Sequence, residues 1–219
     1  MRKKLAAEYI SGKGIEIGGL NAPLSVPEGV IVTFVDLAPF EEIVKANPEV
    51  EVVAKPEIID NAETLEKFDD ASQDFVIANH VLEHMENPIK AFYNWMRVLK
   101  PGGVIYAAIP EKTHTFDRNR PVTRLTHIIE DWLCGPDRSL REHYVDWYMN
   151  SELEGVTGEE LKRKVEASMA SRNNIHFHVW DKLAIENMFK FFKANIPEIE
   201  SYELFDNGAE VIAITRKKA

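Results

Sequence analysis

Seven histidines stand in this chain of 219 residues, and several fall where an imidazole could move a proton near neutral pH. His114 follows the apolar run Val104–Ile109 by a few residues. His143 lies within Arg141-Glu142-His143-Tyr144. His176 and His178 are two apart, so in an extended segment they point the same way. As a general base the order of preference is His114, then His178, then His143. His80 and His84 flank a turn after another apolar run, and His84 reads as a packing or supporting residue. Arg118, Arg120, Arg124 and Arg141 form the main concentration of guanidinium groups. They suit bidentate contacts to an anionic group, with ion pairing to Asp117, Glu130, Asp131 or Glu142 as the plainer alternative. Arg118, Arg120, Arg141 and His176 are the candidate acceptor-binding residues. His176, His178, His114 and Asp117 could in principle ligate a metal, but their spacing matches no compact metal motif, so no metal is expected.

A second group of residues surrounds a glycine turn near the start of the chain. The strand-like Gly14-Ile15-Glu16-Ile17 runs into Gly18-Gly19, and a second apolar run, Val30–Val35, ends at Asp36. Glycines at such a turn let backbone approach a ligand, and an acidic residue about 20 positions later suits ribose hydroxyls. Glu16 can attract a cation and cannot easily bind a phosphate. With no regular three-glycine fingerprint, the turn fits a positively charged amino-acid ligand better than a dinucleotide.

Five segments together resemble a class I S-adenosylmethionine-dependent methyltransferase. They are Ile15-Glu16-Ile17-Gly18, Val35-Asp36-Leu37, Asp60–Leu65, Asp74–His84 and Val98–Gly103, in order over residues 13–110. The resemblance implies S-adenosyl-L-methionine as cofactor. It places Glu16, Gly18, Gly19, Leu20, Asp36, Leu37, Asp60, Asn61, Ala62, Asn79 and His80 around it. The turn departs from the family pattern, since Leu20 and Ala22 replace the second and third glycines. In the second half, His114–Pro121, Arg141–Tyr144 and Ile175–Trp180 resemble bacterial methyltransferases found beside glycosyltransferases in surface-polysaccharide pathways. That implies a sugar, glycan or other small polar acceptor; O-methylation of its hydroxyl would call for a base, for which a histidine is the natural group. The alternatives are N- or C-methylation of a small molecule, or a non-catalytic cofactor-binding pathway partner.

The elements that must position these residues follow from apolar runs. Gly14–Ile17, Val30–Val35, Val50–Ala54, Asp74–Ala78 and Val104–Ile109 read as strands of a mostly parallel, doubly wound sheet, α/β and Rossmann-like, buried on both faces. Residues 2–10 suit a short first helix. Asn87 and Pro88 open another, with Ile89, Phe92, Met96 and Leu99 on one face and Pro101-Gly102-Gly103 as its stop. Residues 111–175 read as a helical insertion or lid within a single domain spanning residues 1–219. Leu125, Ile128, Ile129 and Trp132 form one apolar face there, and Ser139…Glu142 and Thr157…Glu160 read as capping boxes. Asp181 caps a helix carrying Ile185, Met188, Phe189 and Phe192. Asp206-Asn207-Gly208 predicts a terminal antiparallel hairpin, which completes seven strands.

Composition sets the outer bounds. The apolar fraction of 45% suffices for a packed core, and the formal charge of -10 disfavours a non-specific grip on nucleic acid. Cys134 is the only cysteine, so no internal disulfide can form. No apolar run is long enough to cross a bilayer. The expectation is a cytoplasmic protein that acts on a small-molecule or glycan acceptor, with a homodimer left open.

Overall fold

The computed structural model describes residues 1–46, 48–49 and 51–219. Among them a seven-stranded sheet runs in the order β3-β2-β1-β4-β5-β7-β6. The strands are β1 (Lys13–Ile17), β2 (Ile31–Asp36), β3 (Ile58–Ile59), β4 (Gln73–Asn79), β5 (Leu99–Pro110), β6 (Ile199–Asp206) and β7 (Glu210–Lys217). β1 to β5 are parallel, and β7 is antiparallel to both β5 and β6. This is the expected Rossmann-like arrangement with its C-terminal antiparallel pair. Chain order reverses between β1 and β4, which pair at Glu16↔Ile77, so the ligand crevice belongs at their carboxyl ends.

Alternation along the strands separates two core layers. Ile15, Ile17, Val76, Ala78, Ile105 and Ala107 face α3 (Pro88–Val98) and α7 (Lys182–Asn195), where Phe92 stacks on Phe192 at 4.4 Å between ring centroids. Phe75, Ile77, Tyr106 and Ala108 face α1 (Arg2–Tyr9) through Leu5 and Ala6. Burial of each large apolar side chain contributes about 1.5–3 kcal/mol. Asn87 Oδ1 accepts the Lys90 N–H at 3.0 Å, and Asp181 Oδ1 accepts that of Ala184 at 2.7 Å, so both expected caps form. α2 is Phe40–Ala46.

Between β5 and α7 lie α4 (Leu125–Cys134), α5 (Leu140–Asn150) and α6 (Gly158–Ser171). α4 leans on the main core through Ile128, whereas Leu140, Tyr144, Tyr148, Val165, Ile175 and Phe177 make a small core of their own. No helix of the described residues is long and apolar enough to cross a membrane.

Several local expectations fail for identifiable reasons. The third strand is Ile58–Ile59, not Val50–Ala54. The Leu20 carbonyl accepts the N–H groups of Val53 and Ala54 at 3.0 and 2.8 Å and draws that run toward the glycine turn; Val50 lies outside the described residues. Leu99 starts β5 instead of ending α3, because it turns extended (ψ 138°) and pairs with Gln73. Neither capping box forms among the described residues: the side chains of Ser139 and Thr157 accept no helix N–H. The Ser139 hydroxyl donates to Asp131 instead. On α4 it is Asp131, not Trp132, that is buried beside Ile128, and Trp132 is exposed.

Candidate functional site

At the carboxyl end of β1, Gly18 takes a left-handed backbone (φ +64°) that disfavours any side chain, and its N–H donates to the Val35 carbonyl at 3.0 Å. A Cβ on Gly19 would sit 2.9 Å from that of Ala54, so this glycine serves close packing of the loop. Leu20 bends the chain with φ +39° where the family pattern has glycine. Glu16 is 1% exposed; its Oε1 accepts the Leu24 N–H at 2.8 Å, and Oε2 has no hydrogen-bond partner among the described residues. Burial pushes its carboxyl up to about 7, against the opposing pull of the Leu24 amide and Arg2.

The neighbouring strand ends complete this edge. Asp36 Oδ1 accepts the Leu37 N–H at 2.7 Å, and burial raises its carboxyl against the Leu37 and Ala38 amides. Leu37 is 66% exposed, an apolar side chain left open beside the crevice. Asp60 spends both oxygens on its own loop, accepting Asn61 and Lys67 N–H groups at 2.8 Å each. Asn61 Oδ1 takes the Glu63 N–H at 2.7 Å, and the Ala62 carbonyl takes Trp95 Nε1 at 2.8 Å. The Asp60 side chain, the Asn61 backbone and the Ala62 carbonyl are therefore all committed within the fold. At the end of β4 both side-chain amide atoms of Asn79 are buried without a partner among the described residues. His80 adopts φ +55° and brings Nε2 within 2.9 Å of Glu210 Oε2. Arg2 pairs with the same carboxylate, and together with His80 and Asn207 it outweighs the burial that would raise the Glu210 carboxyl, holding it well below the usual range. A shallow hollow lined by Lys13, Thr33, Phe68 and Gln73 sits at the opposite, amino end of the strands, the wrong end for a ligand of this sheet.

Above the β4 edge lies the segment Ile175–Trp180. The His178 N–H donates to the Glu83 carbonyl at 3.2 Å, and the N–H groups of Lys112 and Thr123 reach Trp180 and Val179 carbonyls at 3.0 and 2.7 Å. This docking puts His176 Nδ1 2.6 Å from Asp117 Oδ2. Burial would raise the Asp117 carboxyl, but His176 and Arg120 outweigh it and hold it below its ordinary value. Arg120, 1% exposed, donates to Asp117 Oδ1, Asp146 Oδ2 and the His176 carbonyl, all at 2.8 Å. Phe116 lies 4.8 Å and His84 4.6 Å from the His176 ring, centroid to centroid. His84 turns Nδ1 to the Ile175 carbonyl at 3.0 Å, and burial lowers its pKa. Glu83 is buried with neither carboxylate oxygen hydrogen-bonded to any described residue, yet it lies within 4.8 Å of the donor atoms of His84 and His176.

The structure redistributes the expected site residues. His178 is completely buried, and His143 nearly so, in a cluster with His127 and Asp131. His114 is exposed after β5, its Nδ1 2.9 Å from Glu111 Oε2. Arg120 is buried, with Nε and Nη1 committed inside the fold. Arg118 and Arg141 form ion pairs at 3.0 and 2.8 Å, but with Glu152 and Glu166, not with the acidic partners expected from the sequence. The sequence reading missed Glu83 and His127. His127-x-x-x-Asp131, four apart on one helix, was the available signal for the latter.

Residues 18–107 match a family profile described as a methyltransferase domain. Among solved structures, an S-adenosylmethionine-dependent methyltransferase of Methanosarcina mazei is 18% identical, with a TM-score of 0.54 over 96% of this chain and 95% of its own. A Thermotoga maritima methyltransferase, described as a possible histamine N-methyltransferase, is 15% identical, with a TM-score of 0.50 over 95% of this chain and 84% of its own. These likenesses are of fold. No curated protein matches. Residues 18–107 carry the pattern of a methyltransferase domain, and the fold is that of S-adenosylmethionine-dependent methyltransferases. The chain's own residues fit that cofactor. Asp36 and the open Leu37 suit its adenosine, and the unpartnered Glu16 and Asn79 atoms suit its charged amino-acid end.

Proposed function

We propose that the protein methylates a hydroxyl of a sugar-like or glycan-linked acceptor, with His176 as the general base. The observation that carries this reading is the Asp117–His176 pair. Asp117 takes the hydrogen on Nδ1 at 2.6 Å, which leaves Nε2 with its lone pair. A buried carboxylate that fixes the tautomer in this way is how an imidazole is made a base. Bound S-adenosylmethionine supplies a methyl group made electrophilic by sulfonium. The chain's task is to hold a hydroxyl in line with that methyl and to remove its proton. As the acceptor oxygen gains the methyl, its O–H proton passes to His176 Nε2. The imidazolium then stands between Asp117 and Glu83, whose Oε1 also lies 3.9 Å from His80 Nδ1, with S-adenosylhomocysteine as the other product. Half-buried Phe116 and Trp147 beside His176 offer flat apolar faces that suit the C–H face of a sugar ring. The likeness of residues 114–121 and 175–180 to methyltransferases that accompany glycosyltransferases points the same way.

Labelled methyl transfer to a panel of free sugars and nucleotide sugars tests the proposal. The expected result is transfer by the wild type, a loss of about 100-fold or more in His176→Ala, and retained binding of S-adenosylhomocysteine. Full turnover in His176→Ala, or transfer only to amines, would overturn it.

A further inference from the structure

The cluster beneath the proposed base has a use that methyl transfer does not require. We propose that His127, Asp131, His143 and His178 bind one divalent transition-metal ion of the zinc class, as a closed structural site tying α4 and α5 to the segment Ile175–Trp180.

The four residues come from three separate pieces of chain and present one donor atom each, all within 4.8 Å of one another. His127 Nε2 lies 3.0 Å from His143 Nε2 and 3.3 Å from Asp131 Oδ2. Asp131 Oδ2 lies 3.9 Å from the Nε2 atoms of both His143 and His178. A tetrahedral ion with bonds of about 2.0–2.1 Å sets its donors roughly 3.4 Å apart, and the observed separations bracket that value. Hydrogen bonding alone does not satisfy the cluster. Asp131 Oδ2 is buried and accepts no hydrogen bond from any described residue, although three imidazoles surround it. Such an oxygen is costly unless something pairs with it.

The surroundings are those of ligands held in place. Ser139 Oγ donates to Asp131 Oδ1 at 2.5 Å, which turns Oδ2 toward the rings. The Asn87 side-chain amide donates to the Asp131 carbonyl at 3.0 Å and fixes that turn of α4. The His178 ring stacks on Trp180 at 5.6 Å between centroids. Three imidazoles and one carboxylate are borderline donors suited to zinc, and four protein ligands fill a tetrahedron and leave no open catalytic position. The ion's effect on chemistry is positional, since His178 lies two residues beyond His176.

The inference does not rest on the acceptor or the base, and its test reads metal and stability, not methylation. Full-length protein made without a polyhistidine tag should carry one equivalent of zinc by elemental analysis. Stripping with dipicolinate should lower Tm by about 5 °C or more, and added Zn²⁺ should restore it. Replacement by Co²⁺ should give the intense visible absorption of a tetrahedral site. His127→Ala, at the partly exposed corner of the cluster, should lose most of the zinc while staying folded, and His114→Ala should keep it. Wild-type protein with negligible zinc whose Tm does not respond to Zn²⁺, or His127→Ala and Asp131→Asn variants that retain a full equivalent, would overturn the proposal.

Discussion

At the carboxyl edge of β1, β2 and β4 the functional groups arrive within a few residues of a strand end: Glu16, Gly18, Asp36 and Asn79. In the layer above, the groups that meet are far apart in sequence. Asp117 and His176 are 59 positions from each other, and Arg120 and Asp146 are 26. The lower edge is set by sheet register and backbone turns. The upper layer is set by buried polar side chains that hold one another. A cofactor common to many enzymes can be gripped by the first kind of site, whereas an acceptor particular to one enzyme calls for the second.

The comparison can be broken most strongly at Arg120. Its three acceptors are all in the upper layer, so Arg120→Met leaves Asp117 and Asp146 without their cation and should cost about 3–5 kcal/mol of stability by chemical denaturation. A loss below about 1 kcal/mol would mean that the buried network does not organise this layer.

Glu16 gives the next largest effect, at the lower edge. Its carboxyl is raised from 4.5 to about 7, so the unfolded chain ionises before the folded one does. Stability attributable to this group therefore falls as pH rises through that window. Glu16→Gln keeps an acceptor for the Leu24 N–H and should flatten the pH 5–7 stability slope, gaining about 3 kcal/mol at pH 7 relative to the wild type. An unchanged slope in the variant would show that Glu16 is ionised in the folded protein. The smallest effect is expected at the surface. Arg141→Ala removes one exposed pair with Glu166 and should change stability by about 0.5 kcal/mol or less, with labelled transfer unaffected.

The same division explains what the sequence could reveal. The strand edge is legible because a strand end and its turn stay neighbours in space, so Ile15–Gly18, Asp36 and Asp74–His84 carry their arrangement in their spacing. The third strand was misplaced because the β-branched run around Val53 was taken by the Leu20 carbonyl, a partner that no local pattern reveals. In the upper layer, Ser139 looked like a helix cap and became a support for Asp131. His178 looked like a base and was buried against His127 and His143. Residue types there announced chemistry, but only the packing of α4, α5 and the segment Ile175–Trp180 decided which groups met.

The central claim is that the strand edge holds the cofactor and the histidine layer acts on the acceptor. Calorimetric titration of S-adenosylhomocysteine into wild type, Asp36→Ala and His176→Ala tests it most directly. The account predicts binding by the wild type, about tenfold or greater weakening in Asp36→Ala through loss of a charged hydrogen-bond acceptor, and affinity within about threefold of wild type in His176→Ala, a change under 1 kcal/mol. Undiminished binding by Asp36→Ala, or loss of binding in a folded His176→Ala, would contradict it.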